Sequence, residues 1–219
     1  MRILKLMLVF FMCFCLVGCK NDKLPTPEVA SGLRGEQFGV DKNIDESTLD
    51  KYLNRDDVVY RDMRMLEDPA VYENIGGDRF LSGFVKGFEV VPYPYLAPTV
   101  GLPEEVGTPY QGDTLFSVVN GNYVANYEES MDILEYLFPK DKVIFLMCGG
   151  AGYAGMTKTM LLALGWDQNK VYNVGGYWYY EGDNNVQVKR VDEDNNVHYD
   201  FYKVAYHNID FSVLTEVNG

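Results

Sequence analysis

The chain has 219 residues, 47% of them hydrophobic, with 17 tyrosines. That composition suits a packed domain rather than a disordered chain. Its formal charge is −13, and a surface this acidic repels phosphate backbones, which argues against nucleic acid as a partner.

In chain order, Arg2 and Lys5 make a short positive start and Ile3 to Val17 is nearly all apolar. Residues 1–18 therefore read as a secretory signal peptide; the apolar run is shorter than the roughly 20 residues a membrane span needs. The closing Leu16-Val17-Gly18-Cys19 resembles the lipobox of bacterial lipoproteins. That resemblance implies a lipidated Cys19 at the mature N-terminus, export, and anchorage to the outer face of the cell membrane. Cys13 and Cys15 then leave with the signal. Cys148 remains as the single thiol, without a partner for an internal disulfide. Loss of Arg2 and Lys5 takes the charge two further down, to −15.

Residues 19–37, charged and carrying Pro25 and Pro27, read as a flexible tether. Phe38-Gly39-Val40 is expected as a short strand. Asp45 to Leu53 is expected as a helix, with Asp45 or Ser47 as its N-cap. Val58 to Arg64 reads as a strand that turns polar at its end. Asp62 and Arg64 point to one side of it, either facing a ligand, as residues at strand ends in open α/β sheets do, or forming a structural ion pair. A helix is expected from Glu67 to about Asn74, and a short strand at Val90-Val91 ahead of Pro92.

Residues 93–127 form an insertion. Its first part, to Gln111, is a proline-, glycine- and tyrosine-rich loop. Its second part reads as a hairpin turning at Asn120-Gly121, or else as irregular cover on the site. Glu128 to Phe138 has helical spacing and is stopped by Pro139. Val143 to Met147 is a run apolar on both faces, the mark of a strand buried on both sides. It ends at Cys148, ahead of a turn with Gly149, Gly150, Gly152 and Gly155. Met156, Thr159, Met160, Ala163 and Leu164 then recur at helical spacing up to Gly165. Lys170 to Val174 is the next strand. Val186–Val191 and Val197–Tyr206 read as a β-hairpin within a C-terminal extension, 183–219. His198 and His207 have no metal-ligand spacing and read as surface or packing residues. No metal site and no cofactor are expected.

Alternating strands and helices imply an α/β fold, a parallel sheet flanked by helices with the C-terminal hairpin as an appendage. Cys148 is then a thiol at a strand's carboxyl end beside a helix N-terminus. The unpaired N–H groups and positive dipole there lower a cysteine pKa and hold an anion. The plainer reading is a small buried hydrophobe.

Four pieces in order resemble the rhodanese homology domain, over about Ile44 to Trp178, within a domain expected at 38–182. Val58-Val59-Tyr60-Arg61-Asp62-Met63-Arg64 is similar to that family's strand ending in Asp-x-Arg. Gly83 to Phe88, with Pro92, is similar to its Gly-His-Ile-x-Gly-Ala segment. Cys148 to Gly155 is similar to its active-site loop, and Val174-Gly175-Gly176 with Trp178 to its closing Gly-Gly segment. The resemblance implies that Cys148 is the nucleophile of a sulfurtransferase. It accepts a sulfane sulfur as a persulfide and passes it to a thiophilic acceptor. The amides of Gly149, Gly150, Ala151, Gly152 and Tyr153 cradle the sulfur, and Asp62 and Arg64 shape the pocket. The partners implied are a small sulfur donor, a thiophilic acceptor and, through the lipid, the membrane.

The chain departs from the family at informative places. Phe84 replaces the usual histidine, and the loop is uncharged, with Tyr153 where arginine is common. Arg64 and Lys158 are the candidates to replace the charge, Lys158 being equally a solvated helix residue. Related phosphatases use a longer loop with an arginine; Ala154 stands there, which argues against phosphoryl transfer. Gly150 to Gly155 also matches G-x-G-x-x-G, but Asn173 and Val174 stand where a dinucleotide site needs a carboxylate. Beside sulfur transfer, a degenerate rhodanese-like binding or regulatory module stays open.

Overall fold

The apolar run at 143–148 and the buried strand at 171–176, interrupted by one polar side chain at Asn173, lie inside the molecule as neighbouring strands. The computed structural model describes residues 23–65, 83–99, 110–200 and 204–217. In chain order the elements are α1 (Leu33–Phe38), a 3-10 turn (Leu49–Tyr52), β1 (Val58–Asp62), β2 (Phe84–Val85), β3 (Glu89–Val90) and α2 (Tyr93–Leu96). There follow β4 (Phe116–Val119), β5 (Asn122–Ala125), α3 (Ser130–Leu137), β6 (Val143–Cys148), α4 (Gly152–Ala163) and β7 (Val171–Gly176). A 3-10 turn (Tyr177–Tyr179), β8 (Asn185–Val186), β9 (Val188–Val191), β10 (Val197–Asp200) and a 3-10 turn (Phe211–Val213) complete the described chain.

β3, β1, β6 and β7, in that order, form a parallel four-stranded sheet. Alternation along β6 divides its side chains between two cores. Ile144, Leu146 and Cys148 pack with Leu134, Phe138, Met160 and Leu161 of the helical side. Phe145 and Met147 pack with Leu49, Tyr60, Tyr172 and Tyr177 on the other. Phe145, fully buried and edge-on to Tyr60 and Tyr172, contributes about 1.5–3 kcal/mol by burial alone.

The α/β class and parallel sheet follow the sequence expectation. The hairpin also turns where expected: Asn120 and Gly121 both have positive φ, 51° and 80°, as a two-residue hairpin turn requires. Elsewhere local chemistry redirects the chain. Asp45 takes the N–H groups of Ser47 and Thr48 on its side chain. That tight turn leaves only a 3-10 turn at Leu49–Tyr52 where a helix over 45–53 was expected. Phe38 closes α1, so the expected strand at 38–40 reduces to single bridges, Val40 to Asn173 and Asp41 to Val29. The helix after the loop starts at Gly152, earlier than the expected Met156, so Gly152 and Gly155 are helical.

The segment expected as a tether is bonded to the domain from its first described residues. Leu24 packs against the core cluster that includes Val58 and Tyr60, and Tyr172 donates its phenol to the Pro25 carbonyl (2.6 Å). At the other terminus, the hairpin pairs 188–191 with 197–200, while Asn185 and Val186 pair with β2. Beyond the hairpin the chain returns to the sheet, Tyr206 bridging Val90 in parallel. The extension therefore clasps the edge of the fold as well as carrying an appendage. The helix expected at 67–74 lies outside the described residues.

Candidate active site

From the middle of the sheet, β1 runs on toward β3 and β6 toward β7, in opposite directions. Open α/β sheets leave their crevice at the carboxyl ends of such a strand pair. β1 ends there on Asp62 and β6 on Cys148. A register shift between Leu146 and Cys148 sets Cys148 opposite Gly176.

The loop after Cys148 is shaped by its neighbours. A Cβ on Gly176 would stand 2.2 Å from the Gly149 carbonyl oxygen, and a Cβ on Gly149 2.6 Å from the Trp178 ring. Only hydrogen fits at either position. The backbone N–H of Trp178 donates to the Gly149 carbonyl (3.1 Å), and its indole lies over Gly149 and Gly150. Ala151 takes a left-handed conformation, φ 84°, costly for a residue with a Cβ. Asn173 holds it there: its amide donates to the Ala151 carbonyl (3.1 Å) and the Phe38 carbonyl (2.8 Å), while its oxygen accepts from the Gly175 N–H (3.0 Å). One fully buried side chain thus ties β7, the loop and the N-terminal segment together.

The turn at Ala151 starts α4 directly behind the thiol. The backbone amides of Ala154, Ala151 and Tyr153 face the Cys148 sulfur closely enough to pull its pKa down. Of the residues expected to form the cradle, the structure thus brings Ala151 and Tyr153 to the sulfur and adds Ala154. Gly149 and Gly150 carry the indole, and Gly152 opens the helix.

The expectation of a lowered thiol pKa is overturned. Burial pushes Cys148 up to about 11, and the Asp62 carboxylate adds to the rise, against the pull of the three amides. Removing a thiolate from water costs more than these partial charges return. Cys148 is 3% exposed, so at rest it is a neutral thiol.

Asp62 and Arg64 meet each other. The arginine donates to both carboxylate oxygens (2.9, 3.0 and 2.5 Å) and to the Gly83 carbonyl (2.8 Å). Its guanidinium lies between the rings of Phe84 (4.8 Å) and Tyr177 (4.6 Å). Both residues are buried, and Phe84 is one wall of this clamp. Lys158 is half-buried; burial lowers its pKa while Asp41 opposes the fall.

The insertion supplies the remaining cover. Tyr153 is buried and stacks on Tyr93 at 5.5 Å, 26° between planes. Tyr93 is hydrogen-bonded in turn to Tyr123 of the hairpin, and its phenol pKa is raised, chiefly by burial. Asn173, Trp178 and Tyr93 were not singled out as site residues from the sequence. The signal for Asn173 lay in its place immediately before Val174-Gly175-Gly176.

Two clefts, of about 530 and 490 Å³, open elsewhere. The first lies at the amino ends of the strands, between Lys23, Arg55, Asn169 and Tyr172. The second lies along the hairpin and the C-terminal segment. Among the described residues, no group of three or more His, Cys, Asp or Glu side chains is placed to hold a metal ion. His198 pairs with Asp192 and His207 with Glu89, each at 2.8 Å. Comparison of the chain with protein-family models, with curated proteins and with solved structures gave no match.

Proposed function

We propose that this is an exported, rhodanese-like sulfurtransferase, lipid-anchored at Cys19, that carries sulfane sulfur as a persulfide on Cys148. One observation carries the reading: three backbone amides converge on a single sulfur at the carboxyl end of a central parallel strand. Such a ring stabilises a sulfur anion, whether the attacking thiolate or the outer sulfur of a persulfide.

The thiol first gives its proton to water or to a basic donor. The Cys148 thiolate then attacks the outer sulfur of a persulfide or polysulfide donor. A new sulfur–sulfur bond forms, the donor's own sulfur–sulfur bond breaks, and its inner sulfur leaves as thiolate with the electron pair. An acceptor nucleophile next attacks the outer sulfur and returns Cys148 as thiolate. With no cation in the loop and the Asp62 carboxylate behind the sulfur, dianionic thiosulfate is disfavoured and polysulfide or an organic persulfide preferred.

A second reading, a binding module without chemistry, draws on the buried, neutral thiol. Intact mass decides between them. The soluble domain lacking Cys19 and its Cys148→Ser variant are incubated with thiosulfate, a mercaptopyruvate-type donor or polysulfide. A one-sulfur gain that needs Cys148 and that cyanide removes supports sulfur transfer. No gain from any donor, with the thiol still titratable, leaves the binding module as the better account.

A further inference from the structure

We propose that the amino-terminal edge of the sheet faces the phospholipid bilayer and that the Cys148 site faces away from it, toward the aqueous side. The inference rests on lipidation of Cys19 and concerns how the anchored domain is held.

Lys23 is four residues beyond Cys19, a span of at most about 14 Å. From Leu24 on, the chain cannot swing. Leu24 packs against the core cluster that includes Val58 and Tyr60, and the Pro25 carbonyl accepts from Tyr172. Ala30 donates to Val40 (2.9 Å), and Lys42 to Glu28 (2.7 Å). The entry point is therefore the edge where β1, β6 and β7 begin, beside the cleft between Lys23, Arg55 and Asn169. Cys148 ends β6, five residues beyond Val143, which sets it about 17 Å farther along the strand direction.

Charge agrees with this orientation. The anchored chain, at −15 once Arg2 and Lys5 have left the full chain's −13, is repelled by an anionic lipid surface over most of its area. At the amino edge Lys23, Arg55, Lys142 and Lys170 stand among Asp56, Asp57, Asp141 and Asp167, so acids and bases there balance. Arg55 forks onto Asp57 (2.9 and 2.8 Å). The donor and acceptor therefore reach Cys148 from water rather than from the lipid phase.

The two tryptophans provide the test. Trp166 lies just ahead of β7, at the amino edge, and Trp178 lies over the Cys148 loop. The full chain is produced in a lipoprotein-processing bacterium as Trp178→Phe and as Trp166→Phe. The mass of the N-terminal peptide is read for lipid on Cys19. Each protein is then placed in phosphatidylglycerol–phosphatidylethanolamine vesicles carrying dansyl-labelled headgroups. Severalfold stronger energy transfer from Trp166 than from Trp178 is expected. Equal transfer, or stronger transfer from Trp178, on a lipidated protein overturns the orientation and leaves the anchor standing. Absence of lipid on Cys19 overturns both. If Trp166→Phe does not fold, the Trp178 contribution is read as the difference between the unsubstituted protein and Trp178→Phe, with the same expected order.

Discussion

At the carboxyl ends of β1, β6 and β7 the molecule is closed over a neutral thiol, whereas at their amino ends it lies open as a 530 Å³ cleft. The open end has room, but its charges are engaged: Arg55 is held by Asp57, and Lys142 donates to the Asp56 carbonyl (2.8 Å). The closed end has converging amides and the thiol, covered by Tyr153 beside it and by Tyr93 and Trp178 from distant segments. Size and chemistry thus sit at opposite ends of one sheet. Sulfur transfer as proposed would require displacement of the cover at the closed end.

The largest effect is expected from the buried ion pair. Arg64→Met leaves Asp62 buried without its partner, which costs about 3–5 kcal/mol, read as a fall in the urea midpoint. A loss below about 1 kcal/mol would mean that the closed end is wetter than its burial implies.

Phe145→Ala, in the core shared by both ends, is expected to cost about 3–5 kcal/mol. Val118→Ala on the exposed hairpin strand is expected to change stability by less than about 0.5 kcal/mol. The pair of denaturation curves locates the main core.

Opening the cover is the sharpest test of the closed end. Trp178→Ala is expected to raise the alkylation rate of Cys148 by about tenfold or more, as returning water moves the thiol pKa down toward its ordinary value. An unchanged rate would show that Tyr153 and Tyr93, not the indole, seal the sulfur.

The thiol also sets a pH dependence. Its folded pKa of about 11 lies above the roughly 8.5 of a free cysteine. The contribution to stability is therefore complete below about pH 8.5 and is lost as pH climbs through 11. Alkylation should rise about tenfold per pH unit up to that value. A plateau near pH 7 would contradict the burial account, and comparison with Cys148→Ser isolates the stability effect.

The smallest effect belongs to the open end. Asp57→Asn removes an exposed partner of Arg55, and about 0.2–1 kcal/mol is expected.

Much of this was legible in the chain because it depends on local pattern. Val143–Cys148 can only be a strand buried on both faces. Asn120-Gly121 can only turn a hairpin tightly, and the glycines after Cys148 mark a close approach. What approaches them was not legible. Trp178 is about 30 residues away in sequence and Tyr93 more than 50, and no periodicity links them to the loop. The Asp62–Arg64 spacing was legible as a shared side, but whether the pair served a ligand or each other depended on Phe84 and Tyr177 closing around it.

By itself, the sequence determined the α/β alternation, the buried central strand, the position of the single thiol of the described chain at that strand's end, and the absence of charge in its loop. These follow from residue type and spacing, which act over a few residues. Only the tertiary structure decided that Asn173 braces the loop, that residues 23–37 pack on the domain, and that the thiol is neutral. Each of those depends on water being excluded by groups far apart in the chain. Burial, not proximity to a helix N-terminus, governs the charge state of Cys148, and burial belongs to the assembled fold.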